Sequence, residues 1–94
     1  MKQFTSQKII STVADVYGVS VDEMLSRNRE RLLVEARYMA AYLIRTKMPV
    51  GPTFIASDLR LDHSTVCYGI KHIKELMEVD KDVRRRYNEV INKL

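Results

Sequence analysis

Ninety-four residues suffice for one domain, spanning 1–94, with a core that buries roughly 60–65% of the unfolded chain's surface. A formal charge of +4 and a pI near 9.4 are compatible with an anionic partner, while a single cysteine excludes an internal disulfide framework and suits a reducing cytoplasm. No apolar run reaches the roughly 20 residues of a membrane helix, and Met1-Lys2-Gln3-Phe4 leads into no signal-peptide core, because Ser11, Thr12 and Asp15 interrupt the apolar positions.

Thr5 or Ser6 can cap a first helix whose inward stripe is Ile9, Ile10, Val13 and Val16 or Tyr17, and Gly18 stops it. Ser20-Val21-Asp22-Glu23 has the capping-box pattern and predicts a short second helix carrying Met24 and Leu25. Arg27-Asn28-Arg29-Glu30-Arg31 lacks apolar periodicity and reads as a basic loop. Leu32, Leu33, Ala36, Met39, Ala40 and Leu43 recur at spacings of three and four, which predicts a third helix ending near Thr46 to Met48, before Pro49-Val50-Gly51-Pro52. Thr53 is the expected cap of a short fourth helix holding Ile55 and Leu59, and Arg60-Leu61 make the turn into a fifth. Val79-Asp80 breaks that helix, and Val83, Tyr87, Val90, Ile91 and Leu94 define a sixth. No segment alternates with the two-residue period of a strand and no internal repeat is visible, so the fold class is all-α.

The fifth helix is the most informative element. Asp62 is placed to cap it, its carboxylate accepting from first-turn N–H groups. Val66, Ile70, Ile73 and Met77 turn inward at helical spacing, leaving His63, Ser64, Thr65, Tyr68, Lys71, His72 and Lys74 outward. A polar tip on such a helix can read base edges, which is the profile of a helix-turn-helix recognition helix. Upstream, residues 26–47 hold Arg27, Arg29, Arg31, Arg37, Arg45 and Lys47 against Glu30 and Glu35, a net +4 that equals the charge of the whole chain. Clustering of that kind is an electrostatic footprint for nucleic acid.

The run Ile55-Ala56-Ser57-Asp58-Leu59-Arg60-Leu61-Asp62-His63-Ser64-Thr65-Val66 resembles the signature I-G-x-x-L-G-R-D-H-S/T-T-V of the C-terminal DNA-binding domain of DnaA, the bacterial chromosomal replication initiator. Ser26-Arg27-Asn28-Arg29-Glu30-Arg31, followed by Arg37-Tyr38-Met39-Ala40-Ala41-Tyr42-Leu43, is similar to that family's S-K-x-R-S-R and P-R-Q-I-A-M-Y-L. The resemblance runs from about Thr5 to Leu94 and implies a helical domain of the Trp-repressor-like class, with its helix-turn-helix in Ile55–Leu76. It implies that Asp62, His63, Ser64 and Thr65 enter the major groove, where a carboxylate can accept from a cytosine amino group and hydroxyls can serve several edges. Arg29 matches the arginine that reaches into the adjacent minor groove, where A·T-rich DNA concentrates negative potential. Arg37 and Arg45 match phosphate-contacting positions, and Lys71 joins them from its place on the polar face.

The chain also departs from the family. Gly-Arg before Asp-His is Arg60-Leu61 here, so the arginine has either moved one place, to Arg60, or been lost; weaker binding to the family's box is the expected consequence. Tyr38 replaces a glutamine, Ala36 a proline, and Glu30 and Glu35 stand where the family often has serine and arginine. No G-x-x-x-x-G-K-S/T occurs, so the expected function involves no nucleotide hydrolysis and no cofactor. The expectation is a stand-alone, cytoplasmic, non-enzymatic domain that binds double-stranded DNA, with no membrane partner, and that regulates replication or transcription, an initiator or another replication protein being a further candidate partner. The alternative is a protein-interaction module in which Glu30, Glu35 and Leu61 mark an altered face.

Other chemistry-bearing residues have plainer readings. His63 and His72 lie nine apart without a further ligand at metal-site spacing. Asp62-His63-Ser64 are sequence neighbours on one helical turn and cannot form a catalytic relay. Cys67, beside Val66, reads as a small core residue, and Met24, Met39, Met48 and Met77 as core or near-core filler. Tyr42 and Tyr87 read as core with the hydroxyl at the surface, while Tyr68 is open between a phosphate contact and edge packing. Arg84-Arg85-Arg86, diluted by Asp80, Asp82 and Glu89, reads as a solvated helix face rather than a second DNA contact.

Overall fold

The computed structural model describes residues 4–94; Met1, Lys2 and Gln3, part of the start read above for a signal peptide, lie outside the described residues. Six helices follow in order: α1 (Ser6–Tyr17), α2 (Val21–Met24), α3 (Arg31–Lys47), α4 (Pro52–Leu59), α5 (His63–Val79) and α6 (Lys81–Lys93). No strand occurs among the described residues, and no helix is long and apolar enough to cross a membrane.

Local chemistry sets most of the boundaries. Thr5, in extended conformation, accepts from the Lys8 N–H at 3.1 Å and opens α1. Ser20 and Glu23 form both halves of the capping box at 3.0 Å, so α2 starts where its sequence says. The start of α4 differs from expectation: Gly51 is the cap and Pro52 takes the first helical position, which puts Thr53 inside the helix. Proline is favoured there because its φ is already helical and the N–H it lacks would have no partner. Asp80 both ends α5 and caps α6, its carboxylate accepting from the N–H groups of Asp82 and Val83 at 2.9 and 3.2 Å.

The long α3 is the centre of the molecule and packs against α1, α2, α4 and α5. Its inward face includes buried Leu33 and Ala36, Met39, Ala40, Leu43 and Ile44, which form one core with Ile9 and Val13 of α1, Met24 of α2, Ile55 and Leu59 of α4, and Val66 and Ile73 of α5. Val83, Val90 and Leu94 close the core from α6, and each such full burial stabilises the fold by about 1.5–3 kcal/mol. Leu32, expected in this stripe, is instead 45% exposed; it sits in the first turn of α3, beside the exposed residues 26–31.

Polar ties fasten the outer helices. Glu35 of α3 accepts from the Tyr17 hydroxyl of α1 at 2.5 Å and from Arg86 Nη1 of α6 at 2.9 Å, with the Arg86 guanidinium 5.4 Å over the Tyr17 ring. The Ser6 hydroxyl donates to Asp58, joining α1 to α4. On α6, Arg84 donates to the Met77 and Glu78 carbonyls at the end of α5, Arg85 pairs with Asp82 and Glu89, and Arg86 holds Glu35. Arg84 and Arg86 therefore tie α6 to α5 and α3, while Arg85 stays on an exposed helix face.

Candidate nucleic-acid interface

Helix α4, a three-residue turn and helix α5 form the helix-turn-helix. The turn begins at Arg60, the one non-glycine residue of positive φ (58°) among those described. Its N–H donates to Ser57 O at 3.4 Å, and the Leu61 N–H donates to Ala56 O at 2.9 Å, the paired closure that satisfies orphan carbonyls at a helix end. Leu61 is half-buried and packs on the core, whereas Arg60 is exposed. The apolar anchor of the turn is thus Leu61, and the Arg60 side chain stays outside.

Asp62 occupies the cap position of α5 in extended conformation, but its carboxylate makes no hydrogen bond to the first turn. The expected cap interaction is therefore absent, and the carboxylate keeps its accepting capacity for another donor. His63 and Ser64 are exposed, Thr65 is half-buried and Val66 fully buried. Cys67 is exposed rather than in the core, its Sγ 3.8 Å from His63 Nδ1, because one residue past Val66 rotates the side chain by about 100° about the helix axis. Tyr68 is 59% exposed yet stacks on His72 with ring centroids 5.4 Å apart, and Tyr38 of α3 stands edge-on to both. Buried Gly69 lies directly against the Tyr38 ring.

Between the basic loop and this turn runs an open groove of about 690 Å³. Ser26, Arg27 and Arg29 line it from the loop, Val34, Arg37 and Tyr38 from α3, Arg60, Leu61 and Asp62 from the turn, and Thr65 from α5. Four guanidinium-bearing residues and one carboxylate face this space. A concave basic surface concentrates positive potential and attracts a polyanion.

Arg29, Arg37, Arg60, Asp62 and Thr65 are therefore brought together, although Arg29 and Arg60 are 31 positions apart in the chain. His63 and Ser64 share the first turn of α5 with Thr65. Lys71 is exposed farther along α5, and Arg45 is exposed near the end of α3 with Nη1 on Val50 O at 3.1 Å; neither lines the groove. Arg45 stands eight residues beyond Arg37, about 12 Å along the helix.

Arg37 departs most from its sequence reading as a phosphate contact. It is only 5% exposed. Its Nε donates to Met24 O at 2.5 Å, and its Nη2 to Asn28 O at 2.6 Å, Ser26 O at 2.8 Å and Glu23 O at 3.4 Å. Burial holds its guanidinium below the usual arginine range, as desolvation of a cation should. Its Nε and Nη2 donors are thus directed at the protein's own backbone, while the residue also lines the groove.

Five groove residues, Ser26, Arg27, Val34, Tyr38 and Leu61, were not among the sequence candidates for DNA contact, and of these Arg27 and Tyr38 matter most. Arg27 could have been found from its place in the basic loop; for Tyr38 the one signal was its adjacency to Arg37. Of the three markers of an altered face, Glu35 is held by Tyr17 and Arg86, while Leu61 packs on the core and also lines the groove.

A family profile described as bacterial dnaA protein helix-turn-helix matches residues 6–73, which include α1 to α4 and α5 as far as Ile73. Similar curated relatives are the chromosomal replication initiator proteins DnaA of Jannaschia sp. (strain CCS1), 31% identical over 87% of this chain, of Oenococcus oeni, 34% identical over 96%, and of Nitrosospira multiformis, 33% identical over 97%. The chain spans 18%, 22% and 19% of the length of these three relatives.

Proposed function

This chain belongs to the family of the bacterial DnaA helix-turn-helix domain, and on that footing we propose that it binds double-stranded DNA sequence-specifically, at DnaA-box-like sites, to regulate replication initiation or transcription. The first turn of α5 reads the major groove with Asp62, His63, Ser64 and Thr65. Arg29 enters the neighbouring minor groove from the basic loop. Arg60 supplies the cation that the family carries one position later, and Arg45 and Lys71 meet phosphates on either side. An initiator or another replication protein is the macromolecular partner that such a regulator would meet on its site. No step of this function needs a reacting group or a cofactor.

The observation that carries this reading is the groove itself: a polar helix tip and a basic loop, distant in sequence, flank one concave surface lined by four arginines. Two features strengthen it. Asp62 has no intramolecular cap bond, so its carboxylate is free to accept from a cytosine amino group. The Arg60 guanidinium has no hydrogen bond or ion pair to a described residue and remains exposed beside the groove.

Selection from random duplexes followed by titration of the recovered site against salt tests the proposal. The expected result is a defined motif and an affinity that falls steeply and linearly with log salt, as release of counterions requires. Recovery of no motif, or an affinity indifferent to salt, would refute it.

A further inference from the structure

The loop between α2 and α3 has few constraints of its own. Ser26 is tied to the end of α2, its hydroxyl and N–H donating to Glu23 O at 2.7 and 3.2 Å; beyond it, Ser26 Oγ accepts from the Asn28 N–H at 3.2 Å and Asn28 Oδ1 from the Glu30 N–H at 2.9 Å, bonds within the loop that do not attach it to the domain. Every one of residues 26–30 is exposed. Among the described residues, Arg37 is the only side chain outside the loop that hydrogen-bonds to it. One buried guanidinium reaches the carbonyls of Ser26 and Asn28 as well as those of Glu23 and Met24 at the end of α2. The Asn28 carbonyl belongs to the peptide unit that leads into Arg29, so the shorter of the two bonds to the loop acts directly on the backbone carrying the minor-groove side chain.

We infer that Arg37 is a positioning residue for DNA binding: it holds the loop carbonyls from α3 and so sets the direction from which Arg29 meets the minor groove. The inference rests on the proposed role of Arg29. The planar guanidinium has five donors in a rigid fork and can span several carbonyls at once, whereas an ammonium at the end of a flexible stem is a point charge that cannot. A phosphate contact makes the opposite demand. Lysine binds phosphate well, so Arg37→Lys would conserve a charge contact while losing the loop restraint.

The test is a double-variant cycle on the tightest duplex recovered from random selection, using the wild type, Arg29→Ala, Arg37→Lys and the double variant, with thermal unfolding measured for each. Arg29→Ala should weaken binding about tenfold, the scale of one lost specific contact. Arg37→Lys should weaken it by a similar factor at nearly unchanged salt slope. The double variant should be no weaker than Arg29→Ala within about twofold, because the restraint has nothing left to aim. Losses that multiply, or full affinity in Arg37→Lys, overturn the inference and leave the role of Arg29 intact. Full affinity in Arg29→Ala overturns the minor-groove reading itself.

The native chain supplies a check that does not depend on a variant folding. The Arg37 Nε–H resonance should be protected from exchange in the free protein and stay in place when that duplex is added, while the Arg29 side-chain signal shifts. An unprotected Arg37 Nε–H, or one that moves with the Arg29 signal, would also overturn the inference.

Discussion

Gly18 and Arg60 occupy the same place in two helix ends closed in the same way. Each is left-handed, with φ 68° and 58°, and at each the paired backbone bonds run from that residue and the next to carbonyls three and five positions back. At the end of α1 the residue is glycine, which adopts this conformation without steric penalty. At the end of α4 it is arginine, for which the same conformation costs roughly 1–2 kcal/mol. Strained backbone of this kind clusters at functional sites, and Arg60 stands exposed beside the groove.

Arg60→Gly should therefore move stability and binding in opposite directions. Relief of the left-handed conformation should stabilise the fold by about 1 kcal/mol, while loss of the cation should weaken duplex binding and lower the salt slope by about 1. Adding Leu61→Arg should restore part of the affinity by returning the cation to the family's position, at the expense of a half-buried anchor. Urea unfolding and titrations at several salt concentrations measure both quantities. A single variant that gains stability and keeps its affinity would exclude Arg60 from the interface.

The approach of α5 to α3 depends on Gly69. A Cβ at that position would lie 2.4 Å from Tyr38 Cδ1 and 2.9 Å from its Cγ, so the ring and not only its tip must shift. Gly69→Ala should destabilise the domain by about 1–3 kcal/mol through overpacking, offset in part by roughly 1 kcal/mol of helix propensity. Combining it with Tyr38→Ala should recover most of the propensity gain. If Gly69→Ala is as stable as the wild type by chemical denaturation, the close approach is not a constraint.

Tyr17 makes stability sensitive to alkaline pH. Burial first, then the hydrogen bond to Glu35 and its charge, hold the hydroxyl well above the ordinary tyrosine range. A group whose folded pKa is raised contributes stability that is complete below its unfolded pKa, near 10, and is lost as pH rises toward the folded value. Above pH 10 the wild type should lose stability more steeply than Tyr17→Phe. At pH 7 the variant should be the less stable by about 1–2 kcal/mol, having lost a hydrogen bond to a charged group. Unfolding midpoints between pH 7 and 11 check both, and parallel pH profiles would rule Tyr17 out.

Base reading and phosphate attraction should separate at Thr65 and Arg45. Thr65→Ala should cost about 1–3 kcal/mol on the preferred site and much less on random duplex. Arg45→Ala should weaken binding to every duplex alike and reduce the salt slope by about 1. Affinities for site and scrambled duplexes across a salt series make the comparison. Equal losses for Thr65→Ala on both DNAs would mean that the helix tip positions the domain without reading sequence.

Much of the fold was legible in the sequence because its signals are local. The spacing of Ile9, Ile10 and Val13, of Leu33, Ala36, Met39 and Leu43, and of Val66 and Ile73 marks which side of each helix is apolar, and these residues are buried. Gly18 and the Ser20-Glu23 box mark ends through bonds within a few residues. The motif around Asp62 identified the recognition helix and its family for the same reason: the information lies in a contiguous run. Where two local signals competed, at Pro52 and Thr53, the proline's missing N–H decided the start of the helix.

What periodicity cannot encode is which distant groups a side chain will meet. Arg37 reads as one more cation in a basic segment, yet it is buried because α2 and the loop after it fold back over α3 and present their carbonyls. Glu35 reads as an opposing charge until Arg86, 51 positions away, is packed beside it. Arg60 and Leu61 divide their roles only when the core exists to hold the leucine. The sequence by itself determined the helices, the helix-turn-helix and the charge that suits DNA. Tertiary packing alone decided which of those charges face outward, because a guanidinium's partner is set by distances through space that helical spacing does not contain.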